Sequence, residues 1–205
     1  KSTPYEKTLF LDSDTYVCEE IGELFEILDR FDIAAVHGPG RYNENYDYQR
    51  DTTEAFPDFN CGVILFNKKP KIIKFFSQWE KKYKEYVDTQ LTDQPFFADA
   101  VYNSDLSVCI LPPEYNCRFM FPGYLNGSAK ILHGRDRANY QEMAATLNSR
   151  QNKPRVHTGG NHRRLYYKDD ANLTRAKKYP GSLLKRFFEL IKEEGAIETV
   201  DKIVE

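Results

Sequence analysis

The chain has 205 residues, 40% of them hydrophobic and 14% aromatic, which excludes an intrinsically disordered protein. Its formal net charge is −2, so it lacks the strongly basic balance of nucleic-acid-binding proteins, and no nucleic acid is expected as a partner. No stretch of about 18 apolar residues occurs, so no transmembrane segment is expected. We therefore expect a cytoplasmic location, or the Golgi lumen if a membrane anchor precedes this sequence.

The first predicted elements alternate between short apolar runs and a helical pattern. Residues 8–11 form an apolar run that ends at Asp12 and predicts a buried strand, and residues 19–31 carry apolar side chains at helical spacing. Residues 32–36 predict the next strand, which runs into a segment of His, Gly and Pro that ends it. Residues 41–58 are polar and rich in tyrosine, so they predict a long loop.

The later elements continue this alternation. They are, in chain order, a strand at Phe59–Asn67, helices at 71–88 and 92–102, strands at 106–111 and 130–132, and an amphipathic helix at about 182–194. Alternating strands and helices predict an α/β fold with a mostly parallel sheet flanked by helices. We expect a single domain over residues 1–205, with a core at 1–135 and a C-terminal extension at 136–205.

Two aspartates flank one small residue directly after the first predicted strand. Ligands of open α/β sheets bind at the carboxyl ends of strands, where side chains at positions i and i+2 can reach one ion if the chain turns. The carboxylates of Asp12 and Asp14 therefore suit Mg²⁺ or Mn²⁺ bound to a diphosphate. The alternative is a polar turn in which Asp12 caps a helix.

An asparagine and a glycine interrupt the apolar strand Phe59–Asn67. A glycine inside a strand often marks the approach of a ligand to the backbone, so Gly62 is a candidate ligand-facing position. The buried amide of Asn60 must find hydrogen bonds, which a sugar hydroxyl could supply. The alternative is a β-bulge in which the amide is satisfied locally.

Polar residues also stand at the ends of two later elements. Asp93 and Gln94 open a predicted helix that has a proline in its first turn. His133 follows a short predicted strand, and as a third metal ligand its imidazole would suit Mn²⁺ better than Mg²⁺. The alternative for His133 is a partly buried structural histidine.

Taken in order, these segments resemble the GT-A-fold glycosyltransferases, and among them the retaining family 8 type that includes glycogenin and bacterial galactosyltransferases. The matching segments are residues 5–14, Phe59–Asn67, 93–94 and 130–134. The resemblance implies a GT-A-like fold, that of the nucleotide-diphospho-sugar transferases, with a mixed sheet. In that family the nucleotide-binding part precedes the Asp-x-Asp motif. Only 11 residues precede Asp12, so this sequence lacks that part. Either the part lies outside this sequence, or the chain is an incomplete or divergent member of the family.

The resemblance implies a role for each matching residue. Asp12, Asp14 and His133 would hold Mn²⁺ or Mg²⁺. Asp93 would bind a hydroxyl of the donor sugar. Gln94 would lie near the reacting carbon on the acceptor side and support an oxocarbenium-like transition state.

The remaining matching residues would bind the donor, which is a nucleotide-diphosphate sugar. Asn60 and Gly62 would line its sugar pocket, and Lys130, Gly134 and Arg135 would contact its phosphates. The implied reaction transfers a hexose to a hydroxyl of a carbohydrate, protein or lipid-linked acceptor, with retention of configuration.

Two other functions fit the same aspartate motif. In a phosphatase of the haloacid dehalogenase type, Asp12 would be the nucleophile and Asp14 the general acid–base, with Mg²⁺ as cofactor. That class also places its Asp-x-Asp motif close to the N-terminus. The other alternative is a non-catalytic, transferase-like binding domain, in which Tyr42, Tyr46 and Tyr48 of the predicted loop would stack on sugar rings.

Overall fold

The computed structural model describes residues 3–38, 52–86, 88, 92–135, 139–159, 164–169 and 172–178. The chain divides into two compact units. The first consists of Lys1–Arg118 and Ala129–His133, and the second of Phe119–Ser128 and Gly134–Glu205. The helix predicted at 182–194, and the part of the predicted loop that contains its tyrosines, lie outside the described residues.

The first unit contains both strands and helices, which confirms the predicted α/β class. The elements are, in chain order, β1 (Lys7–Leu11), β2 (Thr15–Val17), α1 (Leu24–Ile27), β3 (Ile33–His37), β4 (Phe59–Asn67), α2 (Pro70–Tyr86), α3 (Gln94–Tyr102), β5 (Val108–Leu111), a 3-10 helix (Pro113–Asn116), β6 (Gly123–Leu125), β7 (Ile131–His133), α4 (Tyr140–Leu147), β8 (Arg155–His157), β9 (Arg164–Asp169) and β10 (Asn172–Lys178). Among the described helices, none is both long and apolar enough to cross a membrane.

A four-stranded mixed sheet in the order β1-β4-β3-β5 forms the centre of the first unit. Strand β4 runs antiparallel to both β1 and β3, whereas β3 and β5 are parallel. The prediction of a mostly parallel sheet is therefore wrong for the strands that the structure describes. A strand buried on both faces has the same continuous apolar sequence whichever way its neighbours run, so periodicity does not reveal the direction.

Strand β4 is buried along nearly all of its length because side chains cover both faces of the sheet. On one face, Phe59 packs with Phe75 of α2 and Phe97 of α3. On the other face, Leu65 packs with Leu24 of α1. These two apolar layers fix the position of β4 and of the polar residues near its start.

Helix α1 is much shorter than the helix predicted over residues 19–31. Only Leu24–Ile27 is α-helical, and it is preceded by tighter turns such as the hydrogen bond from Leu24 N to Ile21 O, three residues back. The side chains of Leu24 and Leu28 are nevertheless buried. The apolar spacing therefore predicts the buried face correctly and the helix length incorrectly, since both kinds of turn place similar positions inward.

The second unit contains an antiparallel sheet that the sequence patterns do not predict. Its strands lie in the order β10-β9-β8-β6, and every neighbouring pair is antiparallel. Strands β9 and β10 are rich in charged residues, so hydrophobic alternation is weak there. Helix α4 begins at a cap formed by Asn139, whose side chain accepts hydrogen bonds from the backbone N–H groups of Gln141 and Glu142.

Candidate metal and donor site

The Asp-x-Asp segment forms a tight turn directly after β1. The backbone N–H of Asp12 donates to the carbonyl of Gly62 at 2.9 Å, which continues the β1–β4 pairing by one residue. The chain then reverses, because both the backbone N–H and the hydroxyl of Thr15 donate to the Asp12 carbonyl, at 3.1 and 2.8 Å. Asp12 therefore terminates a strand as predicted, and the alternative of a helix cap at Asp12 is wrong because β2 follows the turn.

Strand β2 carries this turn to the third candidate ligand. Thr15 pairs with His133 across the antiparallel β2–β7 ribbon. The Nε2 atom of His133 lies 3.4 Å from Oδ1 of Asp14 and 3.6 Å from Oδ2 of Asp12. One ligand atom from each residue lies within 4.8 Å of the other two, so the three predicted metal ligands meet at one point.

This donor set fits a divalent cation. Two carboxylate oxygens are hard ligands that Mg²⁺ and Mn²⁺ accept, and an imidazole nitrogen favours Mn²⁺. Asp12 and Asp14 are half-buried, whereas His133 is buried. The carboxylates therefore face outward enough for an ion to keep further ligands from a substrate or from water.

The imidazole of His133 is neutral at physiological pH. Burial, together with the positive charge of Arg118, lowers the pKa of His133 to about 4, and the opposing effect of Asp14 is smaller. A neutral imidazole has one bare nitrogen, which is the form that binds metals. A neutral imidazole at this position could therefore bind an ion without first losing a proton.

A buried asparagine that sequence reasoning missed orients this histidine. Asn116, at the end of the 3-10 helix, places Oδ1 2.8 Å from Nδ1 of His133, and its Nδ2 donates to Oδ1 of Asn60 at 2.7 Å. Asn60 in turn donates from Nδ2 to Oε1 of Gln94 at 3.3 Å. The only signal for Asn116 is a lone asparagine beside a cysteine and a tyrosine, which no short motif marks as functional.

The structure bears on both interpretations of Asn60 and Gly62, namely the β-bulge and the close approach of a group to the Gly62 backbone. The β3–β4 register is irregular at this point, and the backbone N–H of Gly62 donates to Oδ1 of Asn60 at 3.2 Å, as the bulge alternative requires. A side chain at position 62 would also overlap the imidazole of His133, whose Nδ1 lies 2.6 Å from the position of an added Cβ. The group that approaches the Gly62 backbone is therefore the histidine ring.

The two residues at the start of α3 lie beside the same part of the sheet. Asp93 does not cap the helix with its side chain, and burial raises the pKa of its carboxyl group. A cavity of about 820 Å³ is lined by Asp93, Gln94, Asp12 and Gly62, together with apolar side chains of β4 and α2. The first unit therefore brings the predicted catalytic pair and one predicted metal ligand to a common cavity.

The predicted phosphate-binding residues belong to different compact units. The Lys130 ammonium group donates to the carbonyl of Glu20 at 3.0 Å and lies 3.7 Å from the carboxylate of Glu23. Gly134 and Arg135 belong to the second unit, where Gly134 is buried at a φ of +142° and Arg135 is exposed. That φ favours glycine, so local backbone geometry accounts for Gly134, and phosphate contact by these residues stays a prediction.

Comparisons with known proteins bear on the site. The family described as glycosyl transferase family 8 matches residues 3–146. A comparison with curated proteins gave no significant match. Among solved structures, the chain is similar to the galactosyltransferase LgtC in complex with donor and acceptor sugar analogues, at 20% identity and a TM-score of 0.41. That match covers 56% of this chain and 42% of the LgtC chain. It is also similar to an active-site mutant of LgtC, at 18% identity and a TM-score of 0.48, covering 71% of this chain and 62% of that chain. This chain therefore spans less than two thirds of either solved chain.

Proposed function

Because the chain belongs to glycosyl transferase family 8, we propose that it transfers a hexose from a nucleotide-diphosphate sugar to an acceptor hydroxyl. The observation that carries the proposal is the convergence of Asp12, Asp14 and His133, whose ligand atoms lie within 4.8 Å of one another. Family membership favours this reaction over a haloacid dehalogenase-type phosphatase. The tyrosines of the binding-domain alternative lie outside the described residues, so that alternative becomes an outcome of the test.

The metal ligands are proposed to be the two carboxylates and the neutral imidazole. When bound, Mn²⁺ or Mg²⁺ would act as a Lewis acid that neutralises negative charge on the diphosphate leaving group. Asp12 and Asp14 bring the two negative charges that attract the ion, and His133 adds a buried nitrogen whose position is fixed by Asn116. Buried, hydrogen-bonded ligands lose little freedom on binding, which favours a defined geometry.

Recognition of the donor sugar is proposed to involve the residues that line the cavity beside the metal cluster. Gln94 would lie near the reacting carbon, and the hydrogen bond from Asn60 fixes the direction of its carbonyl oxygen. Asp93 would accept a hydrogen bond from a sugar hydroxyl, since its carboxylate is not used to cap α3. A fixed carbonyl dipole beside the reacting carbon would stabilise positive charge in an oxocarbenium-like transition state. Retention of configuration follows from the family resemblance and is proposed with it.

The remaining expectations are proposed on the same basis. The acceptor is a hydroxyl of a carbohydrate, a protein or a lipid-linked compound, and no nucleic acid is a partner. Residues 1–205 are proposed to act as one catalytic domain despite their division into two compact units. Lys130, Gly134 and Arg135 are proposed to contact the donor phosphates, which for Lys130 would require release from Glu20 and Glu23.

A donor screen tests this function. The whole chain is incubated with UDP- and GDP-hexoses and Mn²⁺, and release of the free nucleotide diphosphate is measured. We expect metal-dependent release that is lost in Asp14→Asn and kept in the control Asp105→Asn, because Asp105 is an exposed residue between α3 and β5 and is not part of the cluster. Phosphate release from a phosphomonoester would support the phosphatase instead. Donor binding without turnover would support the binding domain.

A further inference from the structure

The backbone N–H of Gly62 determines which way the side-chain amides of Asn60 and Asn116 point. The N–H of Gly62 can only donate a hydrogen bond, so the Asn60 atom that faces it at 3.2 Å must be the carbonyl oxygen Oδ1. The amide nitrogen of Asn60 must then point the other way, toward Oε1 of Gln94. This assignment follows from a donor whose identity is fixed by the main chain.

The same reasoning fixes the amide of Asn116. The atom of Asn116 that lies 2.7 Å from Oδ1 of Asn60 faces an acceptor, so it must be the donor Nδ2. Its Oδ1 therefore faces Nδ1 of His133 at 2.8 Å. Because an amide oxygen only accepts, Nδ1 of His133 must carry the proton.

In the neutral form of this ring, the opposite nitrogen of His133 is the bare one. That nitrogen, Nε2, lies 3.4 Å from Asp14 and 3.6 Å from Asp12 and is the atom that completes the cluster. In water an isolated imidazole favours the opposite tautomer, with the proton on Nε2, which would turn an N–H toward the ion site. The protein must therefore impose the tautomer, and the group that does so is Asn116.

We propose that Asn116 is a positioning residue that fixes the metal-binding tautomer of His133. Through its hydrogen bond to Asn60, it also fixes the direction of the Gln94 carbonyl. One side chain thus links the proposed metal ligands to the proposed sugar-binding end of the site. The inference rests on the proposed function for its consequences in catalysis. The exposed fractions of Asn116, Asn60 and His133 are 2%, 1% and 5%, so water does not compete for these hydrogen bonds.

The tautomer can be measured in the parent chain itself, and a variant is needed only to assign the signals. Imidazole ¹⁵N chemical shifts separate a protonated ring nitrogen from a bare one, and the chain has four histidines. The signals of His133 are identified by their loss in His133→Gln. In the metal-free whole chain we expect a proton on Nδ1, as the hydrogen bond to Asn116 Oδ1 requires. A bare Nδ1 would overturn the proposal.

Variants of Asn116 test its effect on the ion. Loss of a group that orients a metal-binding histidine typically weakens metal affinity about 10- to 100-fold, and we expect this for Mn²⁺ binding by Asn116→Leu, measured by calorimetry. Asn116→Asp keeps an oxygen that accepts from Nδ1, so it should retain the Nδ1–H tautomer and at least the affinity of the parent chain. It loses the donor to Asn60, so nucleotide-sugar turnover should still fall.

Asn67→Leu is the matched control. Asn67 is also a buried asparagine of the first unit, but it lies at the other end of β4, roughly 23 Å along the strand from Asn60. We expect this variant to keep both the tautomer and the Mn²⁺ affinity.

Two results for the Asn116 variants would overturn the proposal. The first is an unchanged Mn²⁺ affinity in a folded Asn116→Leu. If that variant does not fold, the second is a shifted tautomer or weakened Mn²⁺ binding in Asn116→Asp.

The tautomer experiment also separates this inference from the proposed function. If the parent chain has the Nδ1–H tautomer and binds Mn²⁺ in an Asn116-dependent way but transfers no sugar, the transferase proposal fails and the positioning role stands. If the chain transfers sugar while His133 carries its proton on Nε2, the positioning role fails and the transferase proposal stands.

Discussion

The imidazole ring of His133 occupies the space that any side chain at position 62 would need. An added Cβ at Gly62 would overlap this ring and lie 2.6 Å from Nδ1 and 2.8 Å from Nε2. Gly62 and His133 are distant in sequence, yet this one contact makes each depend on the other. The glycine is required because the imidazole of His133, from β7, lies against the backbone of β4.

Gly62→Ala should displace His133 and impair the ion site. Contacts this short force the ring to move, so the distances to Asp12 and Asp14 must lengthen. We expect Mn²⁺ affinity to fall about 10- to 100-fold, the range seen when the orientation of a metal ligand is lost. Titration calorimetry with Mn²⁺ measures the effect.

The control for that substitution is Gly22→Ala. An added Cβ at Gly22 would meet only a side-chain oxygen of Glu20 at 3.9 Å, which is ordinary contact. Its effect on stability should stay within about 0.5 kcal/mol, and Mn²⁺ affinity should not change. Equal Mn²⁺ affinities for the Gly62 and Gly22 variants would contradict the close packing of His133 on β4.

His133→Ala should raise the metal requirement of the reaction without unfolding the chain. The two carboxylates remain, so an ion still binds, but one of three protein ligands is lost. We expect the Mn²⁺ concentration for half-maximal turnover to rise at least about 10-fold. His37→Ala is the control, because His37 is exposed at the end of β3. If both variants show the metal dependence of the parent chain, His133 is a structural histidine.

The second unit should lose stability in mildly acidic solution because of His157. Burial, together with the charge of Arg155, lowers the pKa of His157 to about 4 from an ordinary value of 6.5. The unfolded chain binds a proton below about pH 6.5 and the folded chain does not. This contribution to stability is therefore complete above pH 6.5 and is lost as the pH falls toward 4, by on the order of 3 kcal/mol.

The variant His157→Gln isolates that contribution. His133 also has a pKa lowered to about 4, so the parent chain contains two contributions of the same sign. Urea unfolding of both chains at several pH values gives the free energy of unfolding against pH. We expect a shallower slope for His157→Gln below pH 6.5. Identical slopes would show that His157 titrates normally in the folded chain.

Phe97→Ala should strongly destabilise the first unit. The ring of Phe97 is fully buried and makes edge-to-face contacts with Phe59, Phe75 and Trp79. Removing a buried phenylalanine leaves a cavity, which typically costs about 3–5 kcal/mol. Thermal or urea unfolding measures this loss. Ile73→Ala, at an exposed position of α2, should change stability by no more than about 0.5 kcal/mol.

Local pattern was sufficient for some parts of the fold. The limits of β4 were predicted as observed, because a continuous apolar run stands between polar segments. The end of β1 at Leu11 was likewise predicted, because the apolar run stops at an aspartate. The direction of β4 and the length of α1 depend on which neighbours pack against them, and that information is not local in sequence.

The site shows the same division between local and long-range information. Asp12, Asp14 and His133 were singled out because each stands just after a predicted strand, and the structure places one ligand atom of each within 4.8 Å of the others. Asn116 was missed because an isolated asparagine carries no periodic or motif signal, and its importance comes from a hydrogen bond to a residue 17 positions later. Gly62 was identified as a ligand-facing position, but its close contact with the ring of His133 was not predicted.

The register of the β2–β7 ribbon determines which side chain of β7 lies opposite the residue that follows Asp14. It pairs only three residues on each strand, with Thr15 opposite His133 and Tyr16 opposite Leu132. Side chains of a strand alternate between two faces, so a slip by one residue would exchange an imidazole for an aliphatic side chain. A one-residue insertion between Asp14 and Thr15 would therefore be far more damaging to the proposed ion site than most substitutions nearby, although it would replace none of the three side chains.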